Sequence, residues 1–173
     1  GALASGGPCS TIGGAPGSWF MARMVPVYLQ RVPPTSPALA VVGVAVLDGD
    51  GGPAVPGRTV VAAGGVIERI GPAGDVAPPA GAVVVDGSGA TLLPGFIDAH
   101  VHLGFYPPAE VLAGGVTTVR DLGWPPDRLA ALAEGAAAPG SASPRLLAAG
   151  QIVTVAGGYP TRAPWAPPGT ARP

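Results

Sequence analysis

The sequence predicts an α/β fold, with short β-strands in its first half and alternating strands and helices in its second. Runs of β-branched residues separated by glycine-rich turns indicate a small sheet before residue 93. After Pro94 the pattern changes to strand–helix–strand–helix–strand, which is typical of a parallel α/β sheet. With 173 residues, the chain is long enough for one domain or slightly more.

The composition indicates a folded segment with irregular ends. There are 29 glycines and 23 prolines, yet 47% of the residues are hydrophobic and only 11% are charged, unlike a wholly disordered chain. Residues 1–37 have no periodic hydrophobic pattern and are expected to form a disordered leader. Residues 159–173 are expected to be a proline-rich tail.

The charged residues exclude several functions. All nine basic residues are arginines, so there is no lysine for a P-loop, a Schiff base or a carbamylated metal bridge. A net charge of −1 without a basic patch argues against nucleic-acid binding. Cys9, the single cysteine, cannot form an internal disulfide, which fits a reducing, cytoplasmic location.

Residues 38–93 are expected to form a β domain, as a small antiparallel sheet or half a sandwich. The run Ala38–Leu47 also resembles the apolar part of an export signal, but ten residues cannot span a bilayer and no cleavage site follows. A strand is therefore preferred there, and no membrane partner is expected. The expected strands are Val41–Leu47, Thr59–Ala62, Val66–Ile70, Val83–Asp86 and Thr91–Leu93.

Residues 94–158 carry the α/β pattern. The elements expected in chain order are a strand at 96–102, a helix at 107–114, a strand at 116–122, a helix at 125–135 and a strand at 144–153. Both helices have proline at the start.

The first of these strands carries the two histidines of the sequence, His100 and His102. Because strand side chains alternate between faces, both imidazoles point the same way, about 6.6 Å apart along the strand. A single metal ion fits between them, and Asp98 on the same face is a candidate acceptor that orients an imidazole. If the pair is considered without its surrounding sequence, the alternative is that both histidines are satisfied by hydrogen bonds and bind no metal.

The surrounding residues, GATLLPGFIDAHVHLG (89–104), resemble the first barrel strand of the metal-dependent amidohydrolase superfamily. The segment AGGVTTVRDLG (113–123) is similar to the second strand of that family. AAGQIVTVAGGYP (148–160) is similar to the third strand and loop of its imidazolonepropionase-like branch. The resemblance covers roughly residues 38–162. It implies a small β-sandwich-like domain followed by the first three β/α units of an incomplete TIM-type barrel.

The resemblance implies a role for particular residues. His100 and His102 match two ligands of a divalent metal, usually zinc. Asp121 matches an aspartate at the end of the second strand, for which fixing the loops or pairing with Arg120 is the preferred interpretation. Tyr159 stands where many relatives carry a substrate-facing histidine, and is a candidate substrate contact.

The expected function is metal-dependent hydrolysis of a C–N bond in a non-peptide or dipeptide-like amide. No catalytic residue is assigned, because the later metal ligands and the catalytic aspartate of the family have no counterpart here. With two ligands, weak zinc binding is expected. The alternative is a non-catalytic fragment or remnant without hydrolase activity. The expected partner is a small-molecule substrate. The isolated chain is also expected to self-associate, because its strands lack neighbours to cover them.

Overall fold

The computed structural model describes residues 37–173, so the expected leader, apart from Pro37, and Cys9 lie outside the described residues. The described chain forms three sheets and two α-helices. Its elements in chain order are β1 (Leu39–Val46), β2 (Val55–Ala63), β3 (Val66–Pro72), β4 (Val83–Asp86), β5 (Thr91–Leu92), β6 (Phe96–Val101), a 3-10 helix (Leu103–Phe105), α1 (Pro108–Ala113), β7 (Val116–Asp121), α2 (Pro126–Ala137), β8 (Arg145–Ala148), β9 (Ile152–Val153) and β10 (Ala171–Arg172).

The first sheet is mixed and has β1 at its centre. β2 pairs with β1, and β3 with β2, in the antiparallel direction that the sequence predicts. The other edge of β1 pairs in parallel with both β4 and β5, so the antiparallel expectation is wrong there. All five strands belong to one sheet, and residues 38–93 form no second sheet to complete a sandwich.

A bulge at Gly43 divides β1 between these two partners. The register shifts between Val41 and Val44, and Gly43 has a φ of 72°, which favours glycine. Residues 39–42 pair with β4, whereas Ala45 and Val46 pair with β5. A single strand thereby joins two short ones that would be too short to stand alone.

The core of the first sheet consists of small aliphatic side chains. Its buried members are Val41, Val44, Val60 and Ala90, with Val46, Val85 and Leu92 packed around them.

The second sheet has the order β6-β7-β8, and all its strands are parallel, as predicted. α1 connects β6 to β7, and α2 connects β7 to β8. Pro108 and Pro126 occupy the helix starts, where the missing N–H leaves no hydrogen bond unmade. The third β/α unit differs from the prediction, because no helix follows β8 in the described residues. The strand expected over 144–153 instead breaks at Gly150, whose φ is 90°.

The outer face of β6 also differs from expectation. The alternation that puts His100 and His102 on one face of the strand predicts that Ile97, Ala99 and Val101 face covering helices, yet Ile97 is 73% exposed and Ala99 is exposed. The reason is that α1 packs against β7 and α2 against β8, which leaves β6 as an uncovered edge.

The expected tail instead folds back onto the chain. β10 pairs in parallel with β9, and the side-chain amide of Gln151 donates a hydrogen bond to the Gly169 carbonyl at 2.7 Å. Pro160 and Thr170 are buried. We call residues 159–172 the strap. The sequence did not predict this pairing. The segment is rich in proline and glycine and has no periodic hydrophobic pattern, and the strand with which it pairs has only two residues.

Neither of the α-helices described in residues 37–173 is long and apolar enough to cross a membrane.

Candidate metal centre

The two histidines lie at the C-terminal end of β6, beside a second bulge. Asp98 pairs with Val119 and Val101 pairs with Asp121, so β6 has one more residue than β7 in this interval. The Asp98 carboxylate accepts a hydrogen bond from the backbone N–H of His100 at 3.0 Å. Bulges of this kind redirect side chains and are frequent next to active sites.

The bulge keeps the imidazoles of His100 and His102 close together. Their ring centroids are 6.0 Å apart, with an angle of 72° between the ring planes. His100 is exposed and His102 half-buried. This separation leaves room for one ion about 2.0–2.1 Å from a nitrogen of each ring. The expected juxtaposition is therefore present, although a bulged strand rather than a regular one produces it.

His102 is oriented by the backbone of the loop that follows β7. Its Nδ1 lies 3.1 Å from the carbonyl oxygen of Gly123. Because a carbonyl oxygen can only accept, Nδ1 carries the hydrogen, and the Nε2 lone pair of the neutral ring is left to bind a metal. The expected orienting acceptor, Asp98, instead bonds the backbone of its own strand.

Asp121 holds this loop in place. It is fully buried, and its Oδ1 accepts a hydrogen bond from the Gly123 N–H at 2.9 Å. Its Oδ2 accepts one from the Leu103 N–H at 2.6 Å, just beyond His102. One carboxylate thus joins the loops that follow β6 and β7.

Aromatic side chains surround His102. The ring of Trp165 lies 5.0 Å from that of His102, and those of Phe105 and Trp124 lie 6.0 and 6.3 Å away. Trp124 is buried behind the site, with the Arg128 guanidinium over its ring at 5.5 Å. No pattern in the sequence predicts this cluster, because its members come from three segments that are far apart in the chain.

Tyr159 reaches the cluster only through Trp165. The indole N–H of Trp165 donates a hydrogen bond to the Tyr159 hydroxyl at 3.2 Å, and the two ring centroids are 6.1 Å apart. The Tyr159 side chain is 72% exposed. It is therefore open to a ligand, as a substrate contact requires.

The donor set fits half of a metal site. Two imidazoles are good ligands for zinc and related ions, and His102 has the backbone hydrogen bond typical of a metal-binding histidine. Within residues 37–173, no group of three or more histidine, cysteine, aspartate or glutamate side chains could hold a metal ion. A catalytic zinc usually has three protein ligands.

No protein-family model matches the sequence, and a search of curated proteins gives no match. Solved structures do match the fold. A putative prolidase from Bifidobacterium longum is 28% identical with a TM-score of 0.61, over 72% of this chain and 33% of that one. Molinate hydrolase is 26% identical with a TM-score of 0.58, over 68% of this chain and 30% of that one. Phenylurea hydrolase B is 30% identical with a TM-score of 0.57, over 67% of this chain and 31% of that one. The chain thus spans about a third of the length of these structures.

Proposed function

Because these structural neighbours are hydrolases of the amidohydrolase superfamily, we propose that the chain contributes to metal-dependent hydrolysis of an amide-type C–N bond. The observation that carries the proposal is the pair of imidazoles at the C-terminal end of β6, with His102 oriented by the Gly123 carbonyl. Parallel α/β folds place their active sites at this end of the strands.

The residues would act as follows. His100 and His102 would hold a divalent ion, with zinc as the proposed metal. When bound, such an ion acidifies water and polarises a carbonyl group. Asp121 keeps the loops after β6 and β7 together, so the His102 ring keeps one orientation. No residue described here is assigned as a general base.

The substrate we propose is a non-peptide or dipeptide-like amide. The names of two neighbours, prolidase and phenylurea hydrolase, support a substrate with an amide or urea bond. We place the activity in the cytoplasm, in line with the single cysteine.

The alternative is a chain that shares the fold but does not catalyse hydrolysis. The observation that favours this alternative is that only two histidines are present as metal ligands in the described residues. Self-association is proposed in either case, because apolar side chains such as Ile97 and Phe96 are exposed along the β6 edge.

The test combines zinc stoichiometry, size analysis and turnover assays with two substrates, a dipeptide that has proline at its C-terminus and phenylurea. The proposed function predicts about one zinc per chain, amine release, and loss of both in His100→Ala and His102→Ala. Tyr106→Ala is the matched control, because Tyr106 is 67% exposed on the same loop but outside the ring cluster. Zinc binding without amine release would favour the non-catalytic alternative. The absence of both zinc binding and amine release would contradict the metal site itself.

A further inference from the structure

We propose that Trp165 of the strap is a specificity-determining residue that stacks against a flat ring carried by the substrate next to the scissile amide. This inference rests on the proposed function, because it assigns a substrate group to the same site. Its basis is the position of the indole, which lies closer to the His102 ring than any other aromatic side chain described.

The strap fixes Trp165 before any ligand arrives. On the C-terminal side, β10 pairs with β9 and the Thr154 N–H donates to the Arg172 carbonyl at 2.9 Å. On the N-terminal side, the Tyr159 hydroxyl accepts the indole N–H at 3.2 Å. The indole thus has a hydrogen bond of its own in a segment that β10 pairs to β9, so it loses less conformational entropy on binding than a free side chain, and its contact area contributes more fully to affinity.

The wall formed with Trp165 is aromatic, and it is open at the two side chains beside the half-buried indole. Phe105, whose ring lies 5.7 Å from the indole, is 47% exposed, and Tyr159 is more exposed still. The one cation–ring contact in the described part of the chain, from Arg128, is to the buried Trp124 instead. Uncharged ring faces of this kind are complementary to another flat ring, by offset or edge-to-face stacking.

Tyr159 adds a polar group to this wall. Its oxygen accepts from the indole, so its own hydrogen remains available for donation to a ligand oxygen. A urea or amide carbonyl beside the ring supplies that acceptor. The geometry therefore points to a ring and a carbonyl group in adjacent positions, as in an N-aryl amide or urea.

The experiment compares binding of phenylurea and methylurea by calorimetry to the zinc-supplemented chain, with hydrolysis measured separately. We expect phenylurea to bind about tenfold more tightly, a ratio equal to one aromatic contact of about 1.4 kcal/mol. Trp165→Leu should bring the ratio close to one, whereas Trp165→Phe should retain most of it. Tyr106→Ala, outside the cluster, should leave it unchanged.

Two results would overturn the inference: a wild-type ratio near one, or a tenfold ratio that survives in Trp165→Leu. Trp165→Phe keeps the test valid if the leucine variant does not fold, since a flat ring must then preserve the preference. The proposed function fails separately, if phenylurea binds with this preference but no amide or urea is hydrolysed. Conversely, hydrolysis with a preference independent of Trp165 would leave the proposed function standing without this specificity residue.

Discussion

Replacing Asp121 by asparagine should destabilise the chain and weaken zinc binding at the same time. The buried carboxylate accepts two backbone hydrogen bonds, from Leu103 at 2.6 Å and from Gly123 at 2.9 Å. Asparagine keeps one acceptor oxygen and replaces the other with an amide group that can only donate. One backbone N–H therefore loses its partner in a buried place.

The size of the effect follows from the hydrogen bond that is lost. A hydrogen bond to a charged group contributes about 1.5–3 kcal/mol, so the free energy of unfolding should fall by that amount. Asp121→Ala would remove both bonds and cost about 3–6 kcal/mol, which approaches the whole stability of a typical domain. Asparagine is the better variant for this reason.

The zinc effect follows from the chain of contacts between Asp121 and His102. Because Asp121 binds the Gly123 N–H and the Gly123 carbonyl orients the His102 ring, a loosened loop should lower zinc affinity about 10- to 100-fold. Urea denaturation followed by circular dichroism measures the first effect, and competition with a chelating dye measures the second.

Asp48→Asn is the matched control for this experiment. The Asp48 carboxylate also accepts a backbone N–H, from Asp50 at 3.0 Å, but on an exposed turn away from the histidines. We expect a change within about 0.5 kcal/mol and unchanged zinc affinity. If Asp121→Asn changes the free energy of unfolding no more than Asp48→Asn does, the loop-fixing role of Asp121 is wrong. If Asp121→Asn shows the expected loss of stability but binds zinc with unchanged affinity, only the link from Asp121 to His102 is rejected.

Three further experiments test other parts of the structure. Gly104→Ala should lower the free energy of unfolding by about 1–3 kcal/mol, because the new Cβ would lie 2.8 Å from two ring carbons of Trp124. Gly135→Ala in α2 is the control: its Cβ meets no atom, so the free energy of unfolding should rise by about 0.5–1 kcal/mol. Urea denaturation measures both, and equal effects would contradict the packing of Gly104 against Trp124. Asp98→Ala should lower zinc affinity more than Asp98→Asn, which keeps the acceptor of the bulge, and the same loss in both would reject that role. Ile97→Asp should shift light scattering toward the monomer if the β6 edge drives self-association, and an unchanged mass would exclude that edge.

Local patterns predicted the elements well, because they depend on neighbours in sequence. β4 has the predicted bounds, and α1 and α2 begin one residue later than expected, at prolines that suit helix starts. The parallel direction of β4 and β5 was missed, since short strands of one composition do not encode the edge to which they pair.

The site was predicted in part for a similar reason. A spacing of two placed the histidines together, but the bulge at His100 and the carbonyl contact of His102 depend on registry with β7. Trp165 was missed because the strap returns to the site through long-range pairing, which proline-rich sequence does not reveal.

The divided pairing of β1 has a consequence for the order of folding. β1, β2 and β3 form a meander of neighbouring strands, with short loops to close. The opposite edge of β1 must wait for β4 and β5, which are about 40 residues further along the chain. During synthesis, an unpaired and strongly apolar edge would therefore emerge before its partners, and the bulge at Gly43, by bending that edge, would protect it from premature association with other chains.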